Sequence, residues 1–177
     1  MSKTDLFRQM ATYNQWINDS LYEASTRLDA GELARDRGAF FGSILGTLNH
    51  IVVGDTLWLK RFATHPSGTE TLRAVSALPA PSSLDQILFE DFRKLHEHRR
   101  WLDGEIIRWA DGLTEADVDQ VLAYRNSKGK PFNKRLSYLI LHFFNHQTHH
   151  RGQISTLLSQ AGVDIGVTDL VALIPDE

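Results

Sequence analysis

The 177-residue sequence contains no cysteine, and that single absence removes several chemistries. The chain offers no thiolate ligand, no cysteine nucleophile and no disulfide staple. Any metal would have to sit on imidazole, carboxylate, carbonyl or water. Nor is a staple needed, because a domain of this length buries roughly 70% of its unfolded surface. Residues 1–177 are expected to form one domain. The lack of cysteine also fits a reducing compartment, and a cytoplasmic location is the expectation.

Basic runs are missing too. Net charge is −3, with both signs interspersed, and no lysine–arginine stripe is available to a phosphate backbone. Nucleic acid is therefore not an expected partner. The opening MSKTDLFRQM carries Lys3, Asp5 and Arg8 and lacks the apolar core of a signal peptide. No apolar run approaches the ~20 residues of a membrane span, so no membrane partner is expected. Internal repeats and low-complexity tracts are also absent.

What the sequence does hold is helical periodicity. Leu6, Met10, Tyr13, Ile17, Leu21, Ala24 and Leu28 recur at steps of three and four, predicting a helix from Thr4, as its cap, to Leu28. A second helix is expected over Phe41–Phe62, apolar on most sides as in a packed interior. Ser83-Leu84-Asp85-Gln86 has the form of a capping box and opens a third, to Ala110, with Leu84, Ile87, Leu88, Leu95, Leu102, Ile106 and Trp109 buried. The fourth is expected over Asn133–Gln160, stopped by Gly162. AGELARDRGAFFGS forms a loop, Thr69–Ser82 a connection with a short helical turn, and Thr114 caps another turn. VLAYRNSKGKPFN reads as a small hairpin, and the apolar tail after Gly162 is expected to dock on the body. An all-α protein follows: an antiparallel four-helix bundle with a hairpin before the last helix.

Histidine is distributed unevenly. Four of the eight histidines fall within HFFNHQTHHRGQ, residues 142–153. On a helix with Leu136 as origin, His142, His146, His149 and His150 occupy an arc of roughly 220° to 320°, which Leu139 and Leu157 share. The cluster is therefore expected to face inward or along a helix–helix seam. His146/His150 and His142/His146 are both four apart, so either pair can bring two ring nitrogens to one ion. Spacing does not rank them. His149, three from His146, could flank the site.

A third ligand would come from a facing helix. Glu-x-x-His is absent from the second and fourth helices. EDFRKLHEHRR reads as a solvated face, and its His96 and His98 lie about 200° apart on the helix. His65 sits in a loop with no evident partner. His50 remains, on a face with the small residues Gly46 and Gly54 that would let another helix approach. Asp55 lies about 140° around from His50 and is expected to pair within the bundle or to support the site.

His50 followed by Asp55 and Trp58, the stretch Tyr13-Asn14-Gln15-Trp16-Ile17-Asn18, and above all His146-x-x-x-His150-Arg151-Gly152-Gln153 together resemble the DinB-like family. The resemblance spans nearly the whole chain. It implies a four-helix bundle, often dimeric, that binds a divalent metal ion through a histidine triad. The matched ligands are His50, His146 and His150, and the ion would be zinc, nickel or ferrous iron. Similar proteins use a low-molecular-weight thiol against a small electrophilic substrate, which suits a chain without cysteine. The resemblance therefore implies a metalloenzyme activating a thiol or water, with a homodimer as the expected assembly. A stress-responsive metal-binding dimer without catalysis is the alternative.

No catalytic base is identified; His142 and His149 are the nearest candidates. Arg151 is expected to pair with a carboxylate such as Asp55, Gln153 to orient a ligand, and Gly152 to permit close helix packing.

Overall fold

The computed structural model describes residues 1–176. These described residues are mostly helical, with one antiparallel two-stranded ribbon. Helix α1 spans Lys3–Ser25, α2 Ala30–Ala34, α3 Ile44–Phe62, α4 Pro66–Thr69 and α5 Arg73–Ser76. After them come α6 Phe92–Gly112, α7 Glu115–Val118, β1 Val121–Arg125, β2 Pro131–Arg135 and α8 Leu136–Gln160. The long helices pack in the pairs α1–α6, α1–α8, α3–α8 and α3–α6. Trp109, Phe62, Phe143 and Phe144 are buried among aliphatic side chains at their centre, with the Phe62 and Trp109 rings stacked at 4.8 Å.

Local chemistry moves several boundaries from their expected places. Ser2, not Thr4, caps α1: its hydroxyl accepts from the Asp5 amide while the Asp5 carboxylate accepts from the Ser2 amide. The Thr4 amide instead donates to Glu115 at 2.8 Å. Leu6 is 46% exposed and the buried stripe starts at Phe7, while α1 ends three residues before Leu28. Ser43 caps α3 by accepting from the Gly46 amide. The loop before it contains α2, capped by Asp29. His65, expected to lack a partner, is buried and caps α4, accepting from the Ser67 amide.

The largest displacement is at α6, which starts at Phe92 under an Asp91 cap rather than at Ser83. Residues 82–91 are held in a non-helical path by α3. The Asn49 side chain accepts from the Leu88 and Phe89 amides at 2.9 and 3.0 Å and donates to the Phe89 carbonyl at 3.0 Å. These tertiary bonds compete with the i→i−4 ladder a helix would need. Gln86 does reach back, but to Ser82. Leu84 and Ile87, expected in the core, are 50% and 44% exposed.

The hairpin forms as expected, with Val121 opposite Arg135 and Arg125 opposite Pro131. Gly129 takes a positive φ of 76° in its turn, a region that costs other residues steric strain. Because β2 runs through Arg135, α8 begins at Leu136 rather than Asn133. Gly162, at φ 78°, lies just past the C-terminus of α8. The tail docks through Val163, Ile165 and a 2.7 Å bond from the Tyr13 hydroxyl to the Thr168 carbonyl.

A buried polar network ties the four long helices together. Arg99 of α6 is 1% exposed and pairs with Asp55 of α3 and with Asp103 one turn along its own helix. Asp103 also accepts from Asn14 and Asn18 of α1 at 2.9 and 3.0 Å. The Asn14 side-chain oxygen in turn accepts from Arg151 of α8. Burial pushes the Asp55 and Asp103 carboxyls up, Asp103 to about 6, while the two carboxylates hold Arg99 in its charged form. Two expectations are corrected here. EDFRKLHEHRR is not a solvated face throughout, because its Arg99 is the centre of this network. Arg151 does not pair directly with Asp55; it bonds Asn14 and the Thr148 hydroxyl and lies 5.4 Å from the Tyr13 ring centroid.

Candidate metal centre

Three histidines from two helices converge where α3 packs on α8. His50 Nε2 lies 3.1 Å from His150 Nε2 and 3.3 Å from His146 Nε2. One ring nitrogen from each of the three falls within 4.8 Å of the others, a grouping that could hold a metal ion. The i, i+4 spacing sets His146 and His150 one turn apart on α8. Gly54, one turn beyond His50 on α3, makes the close approach possible. A Cβ at Gly54 would stand 2.8 Å from His146 Cε1. Gly46 has a different role: a Cβ there would meet the Phe41 carbonyl oxygen at 2.1 Å.

The ring protons explain why these nitrogens face one another. His50 Nδ1 lies 2.7 Å from the Leu84 carbonyl oxygen, which can only accept, so Nδ1 carries the proton. In the neutral ring Nε2 is then a bare lone pair. His150 Nδ1 lies 2.8 Å from Gln153 Oε1, and in that amide orientation it donates too, leaving its own Nε2 bare. Two lone pairs at 3.1 Å repel unless a cation lies between them. An ion with tetrahedral ligands at ~2.0–2.1 Å separates them by about 3.3 Å, close to the spacings found. The donor set therefore fits a divalent metal.

Burial reinforces this state. Desolvation, then the neighbouring imidazoles, lower His146 to about 3. Desolvation also lowers His50 and His150, against smaller opposing effects from Leu84 and Gln153 respectively. The three rings are thus neutral and ready to donate at pH 7. Phe41, just ahead of α3, stacks on His50 at 3.7 Å between centroids and meets His150 edge-on at 5.6 Å.

His142 and His149 stand apart. Both are exposed, contrary to the expectation that all four α8 histidines face inward. On the wheel the two sit together at one end of the arc, near roughly 220° and 240°, and that end meets solvent, while His150 at the other end is buried. His142 lies edge-on to Trp58 at 5.0 Å, and its ring centroid is 6.1 Å from that of His146. His149 Nε2 lies 3.3 Å from Gln153 Nε2. Gly152 is exposed with open space where a Cβ would go, so it does not serve close helix packing.

Residues 1–176 match the DinB family. The chain belongs to that family. It is 25% identical over 166 residues to the Protein DinB of Bacillus subtilis (strain 168), covering 94% of this chain and 92% of that one. No solved structure matches significantly. In this DinB-family protein the residues of HRGQ separate cleanly by direction. His150 enters the histidine cluster, Arg151 enters the core network, Gly152 meets solvent and Gln153 holds the His150 ring.

Sequence reasoning missed Phe41, the Leu84 carbonyl and the contact between Gly54 and His146. Nothing in the sequence marks a backbone carbonyl as the partner of His50. The Gly54–His146 contact had a usable signal, a glycine one turn from a histidine on a helix expected to pack closely. Gln153→Leu keeps the volume but removes the acceptor for His150 Nδ1. It is expected to weaken metal binding by about 10–100-fold with the fold intact, measured by competition with a chromogenic chelator.

Proposed function

We propose that this DinB-family protein binds a divalent metal ion through His50, His146 and His150 and uses it to activate a low-molecular-weight thiol or water against a small electrophile. The observation that carries the reading is the pair of bare Nε2 lone pairs held 3.1 Å apart by the Leu84 and Gln153 contacts. An ion held by three neutral histidines keeps its full charge and an open position, and so acidifies a bound thiol or water. Zinc, nickel and ferrous iron all suit this nitrogen set, and affinity order alone does not choose among them.

The chain's own residues prepare and flank that position. Leu84 and Gln153 fix two rings, Phe41 covers the flat face of His50, and Gly54 admits His146. His142 is exposed beside the cluster, and burial, then Lys134 and Arg61, hold its pKa below the usual range. It is therefore neutral at pH 7 and able to accept the proton released by the nucleophile. With no cysteine in the chain, the thiol has to be a cosubstrate. We read the four long helices as the antiparallel bundle of the family, in a cytoplasmic homodimer. Tyr138 and Leu141, exposed on α8, supply apolar surface for a second copy.

The test is thiol conjugation to chlorodinitrobenzene, in which a C–S bond forms and chloride leaves, run across a panel of small thiols. Zinc-, nickel- or iron-loaded protein is expected to exceed the uncatalysed rate, and chelator-stripped protein to fall back to it. Equal rates with and without metal, across every thiol and ion, would favour a metal-binding protein without catalysis.

A further inference from the structure

One cation near the cluster has no counter-charge. Arg61 is half-buried on α3, and among the described residues no carboxylate pairs with its guanidinium. It lies instead 4.7 Å from the Trp58 ring centroid and 5.5 Å from that of Tyr124. Desolvation lowers its pKa, opposed only by Tyr124. Every other buried or half-buried arginine has a polar partner: Arg99 has Asp55 and Asp103, Arg151 has Asn14, Arg37 has Glu32 and Arg8 has Asp5. A half-buried guanidinium set against two aromatic rings, with its fork unclaimed, is set up to receive an anion from outside.

Its position gives the anion a context. His50, Gly54, Trp58 and Arg61 are separated by four, four and three residues and so line one stripe of α3. The His146 ring lies against Gly54 and the His142 ring against Trp58. From Gly54, the level of His146, to Arg61 is seven residues, about two helical turns or ~10 Å. The surroundings are also one-sided in charge. Between Asp119 and Asp164 the sequence has no acidic residue, and of its cations Lys134 acts on His142 and Arg125 lies beside Arg61, while Arg135 is taken by Asp119. On α3 the one acid, Asp55, is buried and paired with Arg99. Beyond Trp58, Arg61 borders a cleft of about 260 Å³ with Lys60 and Arg125. The −3 of the whole chain therefore conceals a local positive field.

We infer that the α3 stripe from the histidine cluster to Arg61 binds a small molecule with a carboxylate at one end. The inference rests on the proposed metal centre for the other end of that molecule, whose donor atom meets the ion. Trp58 and His142 contact the body between them, and Arg61 takes the carboxylate. A single half-buried cation suits one negative charge, and its planar fork matches the two oxygens of a carboxylate.

The test compares mercaptohexanoate with its neutral homologue mercaptohexanol, by titration calorimetry on zinc-loaded protein whose zinc content is measured separately. The carboxylate is expected to bind at least about tenfold more tightly, the order of one charge-assisted bidentate contact. Arg61→Gln is expected to abolish the preference and leave zinc content unchanged. Arg61→Lys keeps the charge without the fork and is expected to show an intermediate preference; it carries the test if the glutamine variant does not fold. Equal binding of the two thiols by the wild type, or an undiminished preference in both variants, would overturn the inference while leaving the metal centre intact. If the wild type takes up no zinc, hexanoate and hexanol replace the thiols. An Arg61-dependent preference would then sustain the anion site and remove the metal reading, and no preference would remove both.

Discussion

Replacing Arg99 by methionine is expected to cost about 3–5 kcal/mol of folding stability at pH 7. The change is not a simple loss of two ion pairs. Asp55 and Asp103 are 0% and 1% exposed, and without Arg99 two buried carboxylates are left with no cation in contact. Asp103 retains Asn14 and Asn18, but amide donors do not neutralise a charge. Methionine fills much of the volume, so the cost reports electrostatics rather than a cavity. The sign of the pH dependence distinguishes this from loss of packing. A carboxyl whose folded pKa is raised contributes stability below its unfolded value, near 3.8, and loses it as pH rises through the folded value. Asp103 is already raised to about 6 with Arg99 present, and removing the cation raises it further. The deficit of Arg99→Met against wild type should therefore shrink between pH 7 and pH 5 in urea unfolding. A deficit independent of pH would show that the carboxylates are not its cause.

His146→Ala is expected to weaken divalent-metal binding by more than about 100-fold, beyond the range for a supporting group such as Gln153. His146 is one of the two α8 rings of the cluster, its centroid 5.2 Å from that of His50 and 4.4 Å from that of His150. Its removal leaves two ligands on different helices and opens space beside Gly54. The metal-free variant should not be less stable than the metal-free wild type by more than about 1–2 kcal/mol, because a half-buried ring is lost from a polar edge. Metal added in excess should raise the melting temperature of the wild type and not of the variant. His142→Ala serves as the comparison: its ring packs on Trp58 outside the cluster, and metal affinity should be unchanged.

Much of this architecture is legible in the sequence, and the exceptions have a common cause. The four long helices follow from apolar periodicity, the hairpin from Ser-Lys-Gly-Lys between extended pieces, and the end of α8 from Gly162. What periodicity cannot show is which polar side chains turn inward to meet each other. Arg99 looks like one more charge in EDFRKLHEHRR, and only packing of α6 between α1 and α3 sets it against Asp55. The start of α6 fails for the same reason, since Asn49 claims the Leu88 and Phe89 amides from another helix. For the site, helix geometry alone left His142/His146 and His146/His150 equivalent. Resemblance to the DinB-like family selected His50, His146 and His150, and these are the three that the fold brings together. Their supports, the Leu84 carbonyl and Phe41, come from connecting segments and follow no spacing rule.

The most direct test of the metal centre is the metal content of protein purified without an affinity tag, with uptake titrated on stripped protein. The expected result is one divalent ion per chain, bound by three imidazole nitrogens at ~2.0–2.1 Å in X-ray absorption. Less than about a tenth of an equivalent, with no uptake of zinc, nickel or ferrous iron, would contradict it, because ligand loss on purification is reversible for a site already formed by the fold.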